Sequence, residues 1–532
     1  RKTPLLMAIE KGLYSIVEAI LARPDAAVNQ IYPKTGRFPL LVAVVMSDSD
    51  MVKCIISHPN TDPNLRPGRA FKYDAGCLST AVWENNLEIV DIILKSPKVD
   101  VNVKYEDSSI TPLFAACRRG YLNIADRLLS CKSIDVNQAG DEHGDHPLAI
   151  AAEMGFTAIV QRLLSHPRID VNKELDDGST ALFWASQAGC SAIVKILSKH
   201  PAIHINHRMG SRGNTALTVA CQFEHKLTAR YLLVHPHINP NKKRTEDGSS
   251  PLIICVIKNA FKIFTLLLAH KRTNVNTPGI CGHTALMVAV SKRRCEMITQ
   301  LLAHPDVNPN SGWSSLPLLA AVQSDTFDIF QQILSHPLVD PNKPDNVGTT
   351  PLLRAASLGL IPHVVCLLNH KDIDPNQGLG ASYPDIPLSL ASELGHLEIV
   401  SHLLKHPKIQ VNQTVDSNGN VALQRAHTGN HIKICKLLLW AGADWIRPCF
   451  VRPGLMSFTL TLYSDHAAYV EFCVVCISVR NVKEHPLHQF SSTAFDMFRR
   501  QIQSYLLPCL PRKNYFRPLT HARFSLLQIL RS

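Results

Sequence analysis

The chain has 532 residues and a net charge of +12, unevenly placed: residues 447–532 hold 11 Lys and Arg against 4 Asp and Glu, whereas residues 1–446 hold 44 against 39. That leaves no sustained basic stripe of the kind nucleic acid selects. There is also no run of about 18 uninterrupted apolar residues for a transmembrane helix, the nearest stretch, residues 467–479, being short and interrupted by Glu471. The 15 Cys are scattered without framework spacing, which excludes a disulfide scaffold and favours free thiols in a reducing compartment, cytoplasm or nucleus.

The chain opens at Arg1 directly on Thr3-Pro4-Leu5 and is read as a fragment or a trimmed chain, so an N-terminal targeting signal is not observable. From Leu5 a Leu recurs in one small frame: Leu40, Leu78, Leu113, Leu148, Leu182, Leu217, Leu252, Leu286, Leu318, Leu352, Leu388 and Leu423. Eleven of the twelve intervals are 34 to 38 residues, and the step before Leu318 is 32. An Asn tracks the far end of each unit: Asn29, Asn64, Asn102, Asn137, Asn172, Asn206, Asn241, Asn276, Asn310, Asn342, Asn376 and Asn412. A period in this range predicts a solenoid, whose units bury their apolar faces only against their neighbours.

Residues 176–210 show how one unit is written. Asp176-Asp177-Gly178-Ser179 is turn chemistry, and Thr180 stands where a helix wants an N-cap hydroxyl. A short helix through Leu182, Trp184 and Ala185 is expected to end at Gly189 in the left-handed conformation. A second helix runs through Ile193-Val194 and Ile196-Leu197, and Pro201 stops it. The residue before that proline is often His: His58, His166, His200, His235, His304, His336 and His406. They recur once per unit and not in a two-plus-two cluster, which removes a zinc reading. The expectation is an imidazole at the negative end of the helix dipole, reaching free carbonyls.

These residues resemble the ankyrin repeats. The Thr-Pro-Leu frame is complete at Thr3, Thr111 and Thr350, and Thr-Ala-Leu variants begin at Thr180, Thr215 and Thr284. Gly395-His396-Leu397-Glu398-Ile399-Val400 spells the junction between helices, and Ala441-Gly442-Ala443-Asp444 spells the exit. Elsewhere that exit is a His-Pro version one residue longer, as in residues 166–172, which lengthens the period beyond the family's. The resemblance covers residues 1–446 in about thirteen units, the first truncated, and implies an all-α solenoid of stacked antiparallel helix pairs with hairpin loops. With helices ~8–10 Å apart, thirteen units would run roughly 120 Å along the stack. Residues 447–532 are a basic tail of uncertain structure.

Departures from the pattern carry further expectations. The inter-helix Gly stands at Gly12, Gly120, Gly155, Gly189, Gly359 and Gly395, with Asn at Asn85, Asn259 and Asn430, which tolerates the left-handed region. Ser47, Glu224, Arg293 and Asp325 replace it elsewhere and should cost stability, making units seven to ten the softest. The resemblance places recognition at the hairpin tips and at the two residues before the inter-helix turn. Those pairs include Val45-Met46, Trp83-Glu84, Arg118-Arg119, Glu153-Met154, Gln187-Ala188 and Gln222-Phe223. Met46, Trp83, Arg118, Arg119, Met154 and Phe223 would form a ridge of residue types enriched in hot spots; the competing reading is that each packs on its neighbouring unit. The loop of residues 66–73 adds a basic-aromatic tip or a solvated insertion.

No catalytic constellation is present: neither a phosphate loop with its Lys, nor a Gly-x-Ser-x-Gly elbow, nor His-Glu-x-x-His. In the tail, Cys473-x-x-Cys476 and His485-x-x-His488 are a weak zinc candidate, their gap of eight residues too short for the usual finger. Residues 524–531 faintly resemble the opening of the boxes that recruit ubiquitin-ligase scaffolds after ankyrin arrays. The expectation is therefore a non-enzymatic, intracellular, monomeric scaffold that binds a protein through its concave face, with no cofactor, metal, nucleic acid or membrane insertion. The alternatives are a ubiquitin-ligase adaptor with the tail as recruiting module, and the cytosolic part of a larger channel or enzyme.

Overall fold

The computed structural model describes residues 2–65, 76–104, 110–140, 144–279, 282–312, 316–324, 326–378, 385–414 and 421–443. Among them stand 26 short helices in thirteen consecutive pairs, from Pro4–Glu10 with Tyr14–Leu21 to Ala422–Thr428 with Ile432–Trp440. Their only β pairing is an isolated bridge between Met209 and Asn214. The helices fall in two compact bodies, one within residues 1–340 and one within residues 341–532.

The first helix of a pair starts where the frame says it should. The hydroxyl of Thr111, Thr180, Thr284 or Thr350 accepts the N–H three residues on, from Phe114, Phe183, Met287 and Leu353. Proline follows at Pro112 and Pro351, where its missing N–H costs nothing. At the fifth pair His146 replaces the hydroxyl as the cap. Its Nδ1 accepts the N–H of Ala149 (3.3 Å) and its Nε2 donates to Lys173 O (2.9 Å).

Among the described residues the turn between the helices is left-handed. Gly120, Gly155, Gly189, Gly359 and Gly395 have φ between 73° and 81°, and Ser47, Asn85, Glu224, Asn259, Arg293 and Asn430 hold φ of 55° to 61°. Glycine also serves a second need at some of these turns. A Cβ on Gly189 would meet the His225 ring at 2.7 Å, and one on Gly395 the His431 ring at 2.5 Å. Both rings donate Nε2–H to the preceding repeat, His225 to Gln187 O and His431 to Glu393 O, each at 2.9 Å.

The second helix turns one stripe inward, as in Thr157–Leu164, which buries Ile159, Val160 and Leu163. What covers that stripe is the neighbouring repeat. Ile159 is 1% exposed, whereas Ile16 at the corresponding place in the first pair is 49% exposed. Burial in this architecture is thus a property of adjacent repeats.

The exit of the second helix departs from the charge part of the dipole expectation, although the His58 Nε2 does reach a carbonyl, Arg23 O (3.2 Å). At His58, His166, His200, His235, His304, His336 and His406 the Nδ1 accepts the N–H two residues on, at 3.2–3.3 Å. His270 and His370 make the same bond with Lys, not Pro, after them. A ring that accepts at Nδ1 is neutral, because imidazolium has no acceptor. Burial holds His166, His235 and His406 below the usual imidazole range, helped by Arg168, His237 and Lys408 respectively.

Beyond each exit the periodic Asn stitches one repeat to the next. Asn137 Nδ2 donates to Arg168 O (2.7 Å) and its Oδ1 accepts the N–H of Asp170 (2.8 Å). Asn29, Asn64, Asn102, Asn172, Asn206, Asn241, Asn276 and Asn310 repeat that pair of bonds in the first body. Asn342 and Asn376 do so in the second. The residue two before usually orients the Asn backbone, as Asp135 does by accepting the N–H of Asn137 (3.0 Å).

Candidate recognition surface

The first helix of each pair ends in two residues that the left-handed turn keeps out of the core. Met46 and Met154 are each 47% exposed and Phe223 is 48% exposed. Arg118 and Arg119 are exposed, and Trp83 is half-buried. The Arg119 guanidinium lies 4.3 Å above the Trp83 ring, within the range of an attractive cation–π contact. Trp83 therefore packs on the next repeat and presents a guanidinium-covered face, while Met46, Met154 and Phe223 keep about half of their surface open to solvent.

Two further contacts shape this surface. Phe223 stacks on His225, ring centroids 6.2 Å apart, and His225 is the ring already tied to Gln187 O. The Arg244 guanidinium, from a hairpin, donates to Gln222 Oε1, so hairpin and ridge meet at that repeat. Half-buried Glu153 has its carboxyl raised by desolvation, with Arg118 opposing the shift.

Extending the same register beyond the seventh repeat adds residues that the sequence expectation did not name. Ile257 in the first body is 39% exposed, and in the second body Leu358 and Leu394 are 49% and 48% exposed. Each stands in the pair before a left-handed turn, at Asn259, Gly359 and Gly395. The signal that identified Phe223 identifies them.

Cys117, Cys221, Cys255 and Cys435 are buried free thiols, whereas Cys366 is half-buried. Burial pushes the thiols of Cys117 and Cys255 well up, away from the thiolate that would make them reactive. Among the described residues no group of three or more His, Cys, Asp or Glu is placed to hold a metal ion, and no helix is long and apolar enough to cross a membrane. The loop of residues 66–73, Asp325, the Cys473–His488 candidate and the stretches 467–479 and 524–531 lie outside the described residues.

A family model described as ankyrin repeats (3 copies) matches residues 78–175, 159–244, 237–312, 286–378 and 364–448, together more than half of the chain. The chain belongs to the ankyrin-repeat family. Among solved structures the ankyrin chain is similar to the ankyrin repeat domain of Bcl-3, described as a unique member of the IkappaB protein family. The two are 21% identical over 43% of this chain and 98% of that one, with a TM-score of 0.38. No curated protein matches the chain. Ankyrin repeats are protein-interaction modules and ordinarily non-enzymatic, and the chain's thirteen helix pairs place it in that class.

Proposed function

We propose that the chain is an intracellular scaffold, of the cytoplasm or nucleus, that holds a partner protein along the ridge at the ends of the first helices. One observation carries the reading. Large apolar and aromatic side chains recur, exposed, at a position the fold leaves unconstrained: Met46, Met154 and Phe223, with Trp83 under Arg119 between them. These residue types anchor interfaces when a partner desolvates them. Hairpin residues such as Arg244 would frame the same groove.

The test is affinity capture with the whole chain, compared with Trp83→Ala and Phe223→Ala. Both variants should keep their helix content, Trp83→Ala with a thermal midpoint lowered slightly by loss of the Arg119 contact, while losing the partners that the unmodified chain retains. Recovery of the same partners in the same amounts would place recognition elsewhere on the molecule.

A further inference from the structure

We propose that the face over repeats seven to nine takes an extended, acidic protein segment whose apolar side chains seat on Phe223 and Ile257. This rests on the ridge reading above and names the chemistry of the partner there. Phe223 and Ile257 are 48% and 39% exposed in consecutive repeats. Lys258, Lys292 and Arg293 continue the ridge, all exposed. Among the described residues none of the three has an ion-pair partner, and the Arg293 guanidinium donates instead to a neutral group, Ser324 O (2.9 Å).

The acids nearby leave that charge largely unanswered. Glu246 sits 3.5 Å from Arg212 and Asp247 sits 3.6 Å from Arg244, so both are engaged. Arg244 still keeps its Nε buried without a hydrogen-bond partner. Glu224 is exposed beside Phe223 and, among the described residues, is the one acid at the first-helix ends of repeats seven to nine, against three cations. A partner carrying carboxylates complements such a face.

The repeat spacing selects an extended form. Adjacent helices pack about 8–10 Å apart, and an extended chain of the polyproline-II type rises about 3.1 Å per residue with three residues per turn, so every third side chain faces the same way and falls one repeat further on. Apolar residues at that interval reach Phe223 and then Ile257, while acidic neighbours face Lys258, Lys292 and Arg293. A single-stranded nucleic acid would want successive aromatic platforms, and Ile257 has no ring to offer.

The probe is a fluorescein-labelled peptide of about twelve residues repeating Val-Glu-Thr, whose apolar residues fall at every third place. Its anisotropy is read against the whole chain at low and moderate salt. Parallel titrations use Val-Lys-Thr and Ser-Glu-Thr repeats and an oligothymidylate of similar length. The Val-Glu-Thr peptide should bind best and lose affinity with salt. It should weaken roughly tenfold with Lys258→Glu plus Lys292→Glu, each reversal acting at an exposed site, and less with the neutral Lys258→Met plus Lys292→Met. Phe223→Ala plus Ile257→Ala should erase its advantage over the Ser-Glu-Thr peptide. No binding, equal binding of the lysine peptide, tighter binding of the oligothymidylate, or indifference to charge reversal overturns the proposal. If any of these occurs while protein capture still falls with Trp83→Ala and Phe223→Ala, the acidic partner class alone is lost. Capture indifferent to those two substitutions removes the ridge itself.

Discussion

Each helix pair has two places that behave in opposite ways. At the exit of the second helix the same atoms do the same thing in repeat after repeat: Asn137 bridges to Arg168 and Asp170, and Asn241 bridges to Arg272 and Asn274, at 2.7–2.8 Å. At the end of the first helix the occupants change from Met46 to Glu84, Arg119, Met154, Ala188, Phe223 and Lys258. The first place joins repeats, so its chemistry is held by the fold. The second contributes little to the joining, so its chemistry is open to whatever the scaffold binds.

The largest test of that contrast lies at the one first-helix cap where a titratable ring stands in for the hydroxyl. Burial brings His146 from its ordinary 6.5 down to about 4, against a smaller raising effect of its bond to Lys173 O. The folded value lies below the unfolded one, so the unfolded state binds more protons as the solution is acidified. The associated stability is complete above pH 6.5 and is lost as pH falls through about 4, in all about 3 kcal/mol. Urea midpoints of the chain and of His146→Thr, compared from pH 7 to pH 4, should diverge in slope because the Thr cap does not titrate. Identical profiles would mean that the ring does not cap as a neutral group. His166, His235 and His406 shift in the same direction and should add a smaller loss over the same acid range.

Next in size is a break in the ladder. Asn137→Ala removes two bonds and leaves Arg168 O and Asp170 N–H to water, a cost of about 2 kcal/mol. Hydrogen exchange at Asp170 should rise in the variant before exchange in the core of the fifth repeat does. Uniform acceleration across both repeats would instead show that the ladder does not act locally.

A smaller effect of opposite sign is expected at the turns that lack glycine. Glu224 holds φ at 61°, a conformation that costs a residue with a Cβ roughly 1 kcal/mol or more. Glu224→Gly should raise the urea midpoint by an amount corresponding to about 1 kcal/mol, less the entropy glycine adds to the unfolded chain. A lowered midpoint would show that the Glu224 side chain stabilises the turn. Protection in repeats seven to ten, compared with repeats four to six, then tests whether such turns make the middle soft.

The period, the caps and the turns could be read from the residues because each is local: Thr180 before an apolar run, Gly189 after it, one Leu per unit. The left-handed backbone at Ser47, Glu224 and Arg293 was readable for the same reason, since alignment of the units places each where glycine stands elsewhere. The role of the histidines was not. A rule keyed to His-Pro misses His270 and His370, and nothing in the spacing says that the Nδ1 of these rings accepts the N–H two residues on. Partnership across repeats was equally hidden. Nothing in the spacing of Trp83 and Arg119 says that the guanidinium lies on the indole, because their contact spans 36 residues of chain.

The smallest predicted effect bears most directly on function. If the ridge is free of the fold, Met46→Ala plus Met154→Ala should change the urea midpoint by no more than about 0.5 kcal/mol per site, the range of ordinary surface substitutions. Both residues are 47% exposed, and neither is part of the buried core. Trp83→Ala is the informative neighbour: it also loses the Arg119 contact, worth about 0.5–1 kcal/mol at an exposed site. A Met double variant that loses as much as Asn137→Ala would show that these residues pack between repeats. The contrast between joining edge and open ridge would then fail at the repeats where it is drawn most sharply.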